Sequence, residues 1–103
     1  MNINLEDFRT GKTRVFVGME NGRGVRELTK IDDCYEDITI TIPEDICSIN
    51  PSFLEGFLEG LITRYGRRDF GKRVKFINEG HYKVELDIAE TICRVNRQNR
   101  YKV

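Results

Sequence analysis

The chain has 103 residues, of which 39% are hydrophobic and 33% charged, and its formal net charge at pH 7 is zero. This composition excludes a disordered or low-complexity protein, and the length is that of one domain around one core. The apolar runs are far shorter than the roughly 20 residues of a membrane span, and the first residues lack the layout of a signal peptide. We therefore expect residues 1–103 to form a single soluble, cytoplasmic domain with no membrane contact.

Neither a metal nor a cofactor is expected. Cys34, Cys47 and Cys93 are odd in number, far apart and without a nearby histidine. This spacing argues against both a disulfide framework and a zinc site, so the three are expected to be reduced thiols. Pairs of adjacent carboxylates, such as Glu44 with Asp45, are typical of turns that face water.

Two β-rich runs near the start, residues 3–5 and 13–17, flank a turn at Gly11 and predict a hairpin. Residues 21–24, Asn-Gly-Arg-Gly, then predict a loop. Such a loop could hold a phosphate on its N–H groups, but it lacks a Walker A lysine and the dinucleotide fingerprint, so an ordinary glycine turn is favoured. Residues 25–31 predict one or two helical turns.

Residues 37–42 alternate isoleucine with polar residues and predict the clearest strand. Asn50 is a good N-cap and Pro51 a good first helical residue. From there apolar residues recur as pairs every four positions as far as Tyr65, which predicts an amphipathic helix closed by Gly66. Gly56 and Gly60 each weaken that helix by roughly 1 kcal/mol relative to alanine. We expect them to admit another backbone, namely the sheet beneath or a partner from outside.

Residues 73–77 predict a second alternating strand, and residues 84–98 predict a final amphipathic helix. The order is therefore β-β-α-β-α-β-α. Strands that alternate with helices imply parallel pairing through right-handed crossovers, because only a crossover can bring the next strand back parallel. We predict an α/β fold with about four strands.

The segment "PSFLEGFLEGLITRYG", residues 51–66, resembles the start and end of a helix in the STAS-like family of small bacterial proteins. That family shows a strand, a helix opening close to "SSFLDE", a Tyr-Gly end and a later strand with "F-x-N", for which residues 76–78 are the counterpart. The final segment "AETICRVNRQ", residues 89–98, is similar to the family's last helix. The resemblance implies one mixed sheet of about four strands with helices mainly on one face.

The same resemblance implies a function without catalysis. The related anti-sigma-factor antagonists dock a helix start onto a histidine-kinase-like ATPase, which phosphorylates a serine there. In this chain the usual serine position holds Pro51, so Ser52 is the candidate phosphorylation residue, with Ser48 as a second. We therefore expect a regulatory protein-binding module whose contact residues are Ser48, Asn50, Ser52, Phe53 and Glu55.

A nucleic-acid-binding accessory protein is the alternative hypothesis. Residues 1–62 hold 12 acidic and 6 basic side chains, whereas residues 63–103 hold 5 acidic and 11 basic ones. Basic spacing with interleaved aromatics suits phosphates and stacked bases, although a solvated rim or an acidic partner explains it more simply. The candidate contacts are Arg64, Arg67, Arg68, Lys72 and Arg73, followed by a basic C-terminal tail of Arg94, Arg97, Arg100 and Lys102.

No set of residues predicts an enzyme. The single histidine, His81, lies in a turn and has no cysteine or serine at a nucleophile-like spacing. Nothing in the pattern assembles a nucleophile, a base and an oxyanion donor. A homodimer is compatible with both hypotheses because a small open sheet has edges that are usually covered or paired.

Overall fold

The structure is a computed structural model that describes the backbone of residues 1–101 and the side chains of residues 1–99. The order of strands and helices along this part of the chain is β-β-α-β-β-α-β-α, one strand more than predicted, with short 3₁₀ turns at Leu5–Phe8 and Ile31–Asp33. The elements are β1 (Asn2–Asn4), β2 (Val15–Phe16), α1 (Met19–Thr29), β3 (Ile38–Ile42), β4 (Ser48–Ile49), α2 (Pro51–Arg73), β5 (Val74–Asn78) and α3 (Val84–Tyr101). The predicted α/β class is confirmed.

The strands form two small parallel sheets. β3 lies between β1 and β5, and Ile40 is opposite Ile3 on one side and Phe76 on the other. β2 and β4 form a separate two-stranded sheet in which Phe16 is opposite Ile49. Parallel pairing of β3 with β5 through α2 agrees with the predicted crossover. The single mixed sheet of about four strands implied by the resemblance is instead divided in two, with all described pairs parallel.

The predicted hairpin between residues 3–5 and 13–17 is wrong. Ile3 and Leu5 are buried, and parallel pairing with the central strand β3 encloses Ile3, which a surface hairpin would leave exposed. The chain then turns away, because Asn4 accepts a hydrogen bond from the Glu6 N–H at 3.0 Å and caps a 3₁₀ turn. The second run pairs with β4 instead.

One face of the three-stranded sheet forms the core. Ile38, Ile40 and Ile42 are fully buried, whereas the threonines between them are only half-buried. On the outer face, Lys75 and Ile77 of β5 are exposed, as are the polar residues of β1. The helices therefore cover mainly one face of this sheet.

The predicted loop at residues 21–24 is helical, and α1 begins at Met19. The helix forms despite its glycines because it packs closely on α2, at a crossing that only glycine permits. A Cβ on Gly22 would lie 2.0 Å from the Phe53 carbonyl oxygen, and a Cβ on Gly56 would lie 2.1 Å from the Met19 carbonyl oxygen. Side-chain-free residues thus bring the backbones of α1 and α2 into direct contact. At Gly56 the backbone of α2 approaches the helix α1 of the same chain, so the prediction that it would approach the sheet is wrong.

The predicted start of α2 is confirmed, with Asn50 as the N-cap and Pro51 at the first helical position. The predicted closure of the helix at Gly66 is wrong: Gly66 kinks the helix, with φ 71° and ψ −178°, a conformation that essentially only glycine adopts, and the helix continues beyond it. Residues 67–73 form a further helical segment, because Phe70 is buried and anchors it to the core, so the strand predicted at residues 73–77 begins one residue later, at Val74.

Candidate functional site

The start of α2 is largely accessible and is capped by its own residues. The Asn50 side-chain oxygen Oδ1 accepts a hydrogen bond from the Ser52 N–H at 2.9 Å, and the Ser52 hydroxyl donates to the same oxygen. Ser48 and Asn50 are exposed, and Ser52 is half-buried. We call Ser48, Asn50 and Ser52 the helix-start surface.

Two backbone hydrogen bonds to β2 hold the loop that carries this surface. The Cys47 N–H donates to the Arg14 carbonyl oxygen at 2.7 Å, and the Asn50 N–H donates to the Phe16 carbonyl oxygen at 2.8 Å. The segment is therefore anchored at residues 47 and 50, on either side of the short strand β4.

Tyr82 fixes the other side of the loop. Its hydroxyl lies 3.0 Å from the Ile49 carbonyl oxygen and also hydrogen-bonds to the Asp87 carboxylate. Burial raises the pKa of Tyr82 far above its usual value, and the hydrogen bond to Asp87 raises it further. The phenol thus stays protonated at physiological pH, with its single proton shared between the Ile49 carbonyl oxygen and the Asp87 carboxylate.

Two of the five predicted contact residues are inaccessible. The Phe53 side chain is 2% exposed and packs against Phe16 and Phe57, with ring centroids 5.2 and 6.2 Å away. Glu55 is 1% exposed, and its Oε1 accepts a hydrogen bond from Gln98 Nε2 at 3.0 Å. Neither side chain reaches a partner in this structure. Phe53 belongs to the apolar stripe that predicted the helix, and α3 covers Glu55.

The predicted basic cluster divides into internal and external residues. Arg64 donates to the Cys34 carbonyl oxygen at 3.0 Å and to that of Asp32, and its guanidinium lies 4.2 Å from the Tyr35 ring centroid. Arg73 donates to the Tyr35 carbonyl oxygen in the same loop. These two arginines fix the segment that leads into β3, so fewer of their N–H groups remain to bind phosphates.

The remaining cations of the cluster face solvent. Arg67 and Arg68 are exposed, and the exposed Lys72 lies 3.7 Å from the Asp69 carboxylate. Of the predicted basic tail, Arg94 is half-buried and Arg97 exposed. The side chain of Arg100 and all of Lys102 lie outside the described residues.

Other chemistry has little support in the described part of the chain. No three His, Cys, Asp or Glu side chains of residues 1–99 come together in a way that could hold a metal ion. His81 is exposed in the turn before α3. Among the described helices, none is both long enough and apolar enough to cross a membrane.

The sequence did not predict a cavity of about 340 Å³ that lies beside β2 and α1. Phe16 of β2, Val25 of α1 and Phe53 of α2 line it, and Phe8 completes a mostly apolar wall. The one available signal was the β-rich run at residues 13–17. The opposite wall is the helix α1, where the sequence predicted a loop at residues 21–24.

In comparisons with known proteins, no family model, no curated protein and no solved structure significantly matches this chain.

Proposed function

We propose that this chain is a non-catalytic, STAS-like regulatory module that binds another protein through the helix-start surface. In this proposal the sheet β1-β3-β5, with its helices mainly on one face, corresponds to the STAS-like core. The sequence resemblance implies a histidine-kinase-like ATPase as the partner. The observation that carries the proposal is the combination of accessibility and rigidity at Ser48, Asn50 and Ser52.

Rigidity matters because a preformed surface loses little conformational entropy on binding. Hydrogen bonds to β2 and the contact with Tyr82 hold the loop before any partner arrives. A surface that gained its order only on binding would bind more weakly for the same contact area. This supports recognition of a folded partner at the start of α2.

Ser52 is the proposed phosphorylation residue. Phosphorylation would remove the proton that its hydroxyl donates to Asn50 Oδ1 and would place about two negative charges in the first turn of α2. The helix dipole favours an anion there, so the folded state tolerates the modification. The partner would meet a different charge and a different hydrogen-bonding group.

The test uses substitutions that leave the fold intact. Asn50→Asp keeps a good N-cap and adds a charge, and Ser48→Glu adds a charge at an exposed position. Thr63→Glu, on an exposed position further along α2, is the matched control. Phe53 is unsuitable for this purpose because its removal would empty the core.

We expect a protein captured by the wild-type chain from its host to bind the purified chain directly in calorimetry. Its affinity should fall at least about tenfold with Ser48→Glu or Asn50→Asp and stay unchanged with Thr63→Glu. Equal affinity for all four chains would show that the helix-start surface is not the contact.

A second candidate function, binding of nucleic acid, is favoured by the exposure of Arg67, Arg68 and Lys72 on one short helical segment. It predicts an affinity that falls steeply with salt and that drops when Arg67 and Arg68 are both replaced by alanine. Arg64→Ala is a poor probe because that guanidinium holds the loop before β3. Absence of a mobility shift with single- or double-stranded nucleic acid at low salt would exclude this function.

A further inference from the structure

The cavity beside β2 and α1 has the size and lining of a small-molecule site. Its volume of about 340 Å³ falls at the lower end of the usual range for ligand pockets, about 300–1,000 Å³. A volume at this end of the range suits a small ligand rather than a drug-sized one. Aromatic and aliphatic side chains form most of its wall, including Phe16, Val25 and Phe53.

Gly24 is a second feature of the cavity wall, and packing does not explain it. Gly22 and Gly56 are needed where α1 crosses α2, since a Cβ on either would collide with the other backbone. Gly24 lies in the same short helix and lines the cavity, yet a Cβ placed on it would have no heavy atom within 4 Å. A glycine in a helix interior is unfavourable. Its effect at this position is to leave the cavity unfilled.

The polar groups define the chemical class of the ligand. Glu20 is the one ionisable residue among the described residues that line the cavity, and it is exposed. Asn21 and two threonines supply further polar groups. A carboxylate beside an apolar space favours a cation or a neutral donor and disfavours an anion.

We propose that this cavity binds a small ligand with an apolar body about the size of a bicyclic aromatic ring and with a cationic or neutral polar end near Glu20. Val17 and Leu28, which are 49% and 76% exposed, would lose solvent contact when the ligand is bound. The site is separate from the helix-start surface, so it stands whether or not that surface binds a protein.

Three probes that share an indole ring and differ in charge test the proposal: tryptamine, tryptophol and indole-3-acetate. Binding is followed by two-dimensional NMR of the full chain. Tryptamine should saturate with a Kd between about 10 µM and 1 mM, as ligands of this size allow, and should shift the amide signals of Val17 and Gly24. Tryptophol should bind more weakly, and indole-3-acetate at least about tenfold more weakly.

Gly24→Leu fills the cavity from α1 and also raises helix propensity, so the variant is expected to fold. Gly71→Leu is the matched control, because Gly71 is a helical glycine with nothing within 4 Å of its Cβ position and does not line the cavity. We expect Gly24→Leu to weaken tryptamine binding at least about tenfold and Gly71→Leu to leave it unchanged. Glu20→Gln should bring the affinity for tryptamine close to that for tryptophol.

Four results would overturn the proposal. One is no saturable binding of any probe up to about 5 mM, and another is equal binding to the wild type and to Gly24→Leu. The third is loss of a bound protein partner with Gly24→Leu while no probe binds, which would assign the cavity to a side chain of that partner. Preference for indole-3-acetate would refute the assigned charge.

Discussion

Replacing Gly56 by alanine tests whether contact between the α1 and α2 backbones stabilises the fold. The added Cβ would lie 2.1 Å from the Met19 carbonyl oxygen, and ordinary contacts of this kind begin at 3.4 Å. The shortfall is 3.4 − 2.1 = 1.3 Å. The Cβ is fixed to the backbone of α2 and the oxygen belongs to the backbone of α1, so neither atom can rotate away. The two helices must therefore separate, and the surrounding core must adjust with them.

The size of the effect follows from two opposing contributions. Overpacking of a core typically costs 1–3 kcal/mol, and about 3 kcal/mol is appropriate here because the obstacle is backbone. Alanine recovers about 1 kcal/mol of helix propensity. The free energy of unfolding should therefore fall by about 2 kcal/mol, which corresponds to a Tm lower by about 8–16 °C for a domain of this size.

Urea unfolding followed by circular dichroism measures this difference, with Gly71→Ala as the control. Gly71 lies in the same helix but has open space at its Cβ position, so alanine there should raise stability by up to about 1 kcal/mol. Gly22→Ala combined with Gly56→Ala should cost less than the sum of the single variants, because one separation of the helices accommodates both methyl groups. If Gly56→Ala proves as stable as Gly71→Ala, the proposed backbone contact is wrong.

Three further predictions concern charged groups. The hydrogen bond from Arg9, 2.8 Å long, lowers the pKa of Asp45 from 3.8 to about 2. The stabilising contribution of the Asp45 carboxylate is therefore complete above about pH 4 and is lost as the pH falls towards 2. The Tm difference between wild type and Asp45→Asn should shrink over that interval. Arg64→Lys should lower the free energy of unfolding in urea by about 1–2 kcal/mol, because lysine cannot bond to two carbonyl oxygens and cover an aromatic ring at once. The control Arg67→Lys should change the free energy of unfolding by less than about 0.5 kcal/mol in the same titration. The urea midpoint of Glu55→Gln should be equal to or higher than that of the wild type, since among the described residues the buried Oε2 of Glu55 has no hydrogen-bond partner. A large decrease in the midpoint would reveal a cation beside Glu55.

Local patterns predicted the elements that depend on local chemistry. The alternation of residues 37–42 identified β3, and Asn50 with Pro51 identified the start of α2 to the residue. The start of α1 could not be predicted in this way, because Gly22 and Gly24 indicate a loop by propensity. The helix forms because Gly22 packs against α2, which lies far along the chain.

The candidate site shows the same limit. Accessibility of Ser48 and Asn50 follows from their polar character, but Glu55 is also charged and is nevertheless buried. Its burial is decided by α3, whose Gln98 supplies the hydrogen bond, and nothing near Glu55 in the sequence indicates this. The cavity depended on two elements that the sequence misassigned, so it had no counterpart in the prediction.

The parallel pairing of β3 with both of its neighbours determines when the fold can be completed during synthesis. Asn2 pairs with Thr39, a separation of 39 − 2 = 37 residues, and Ile38 pairs with Val74, a separation of 74 − 38 = 36 residues. Each pairing closes a long stretch of chain, which makes folding slower than in proteins built from neighbouring contacts. The central strand gains its second neighbour only after Asn78 has left the ribosome, so a nascent chain that stops earlier exposes one edge of its most apolar strand.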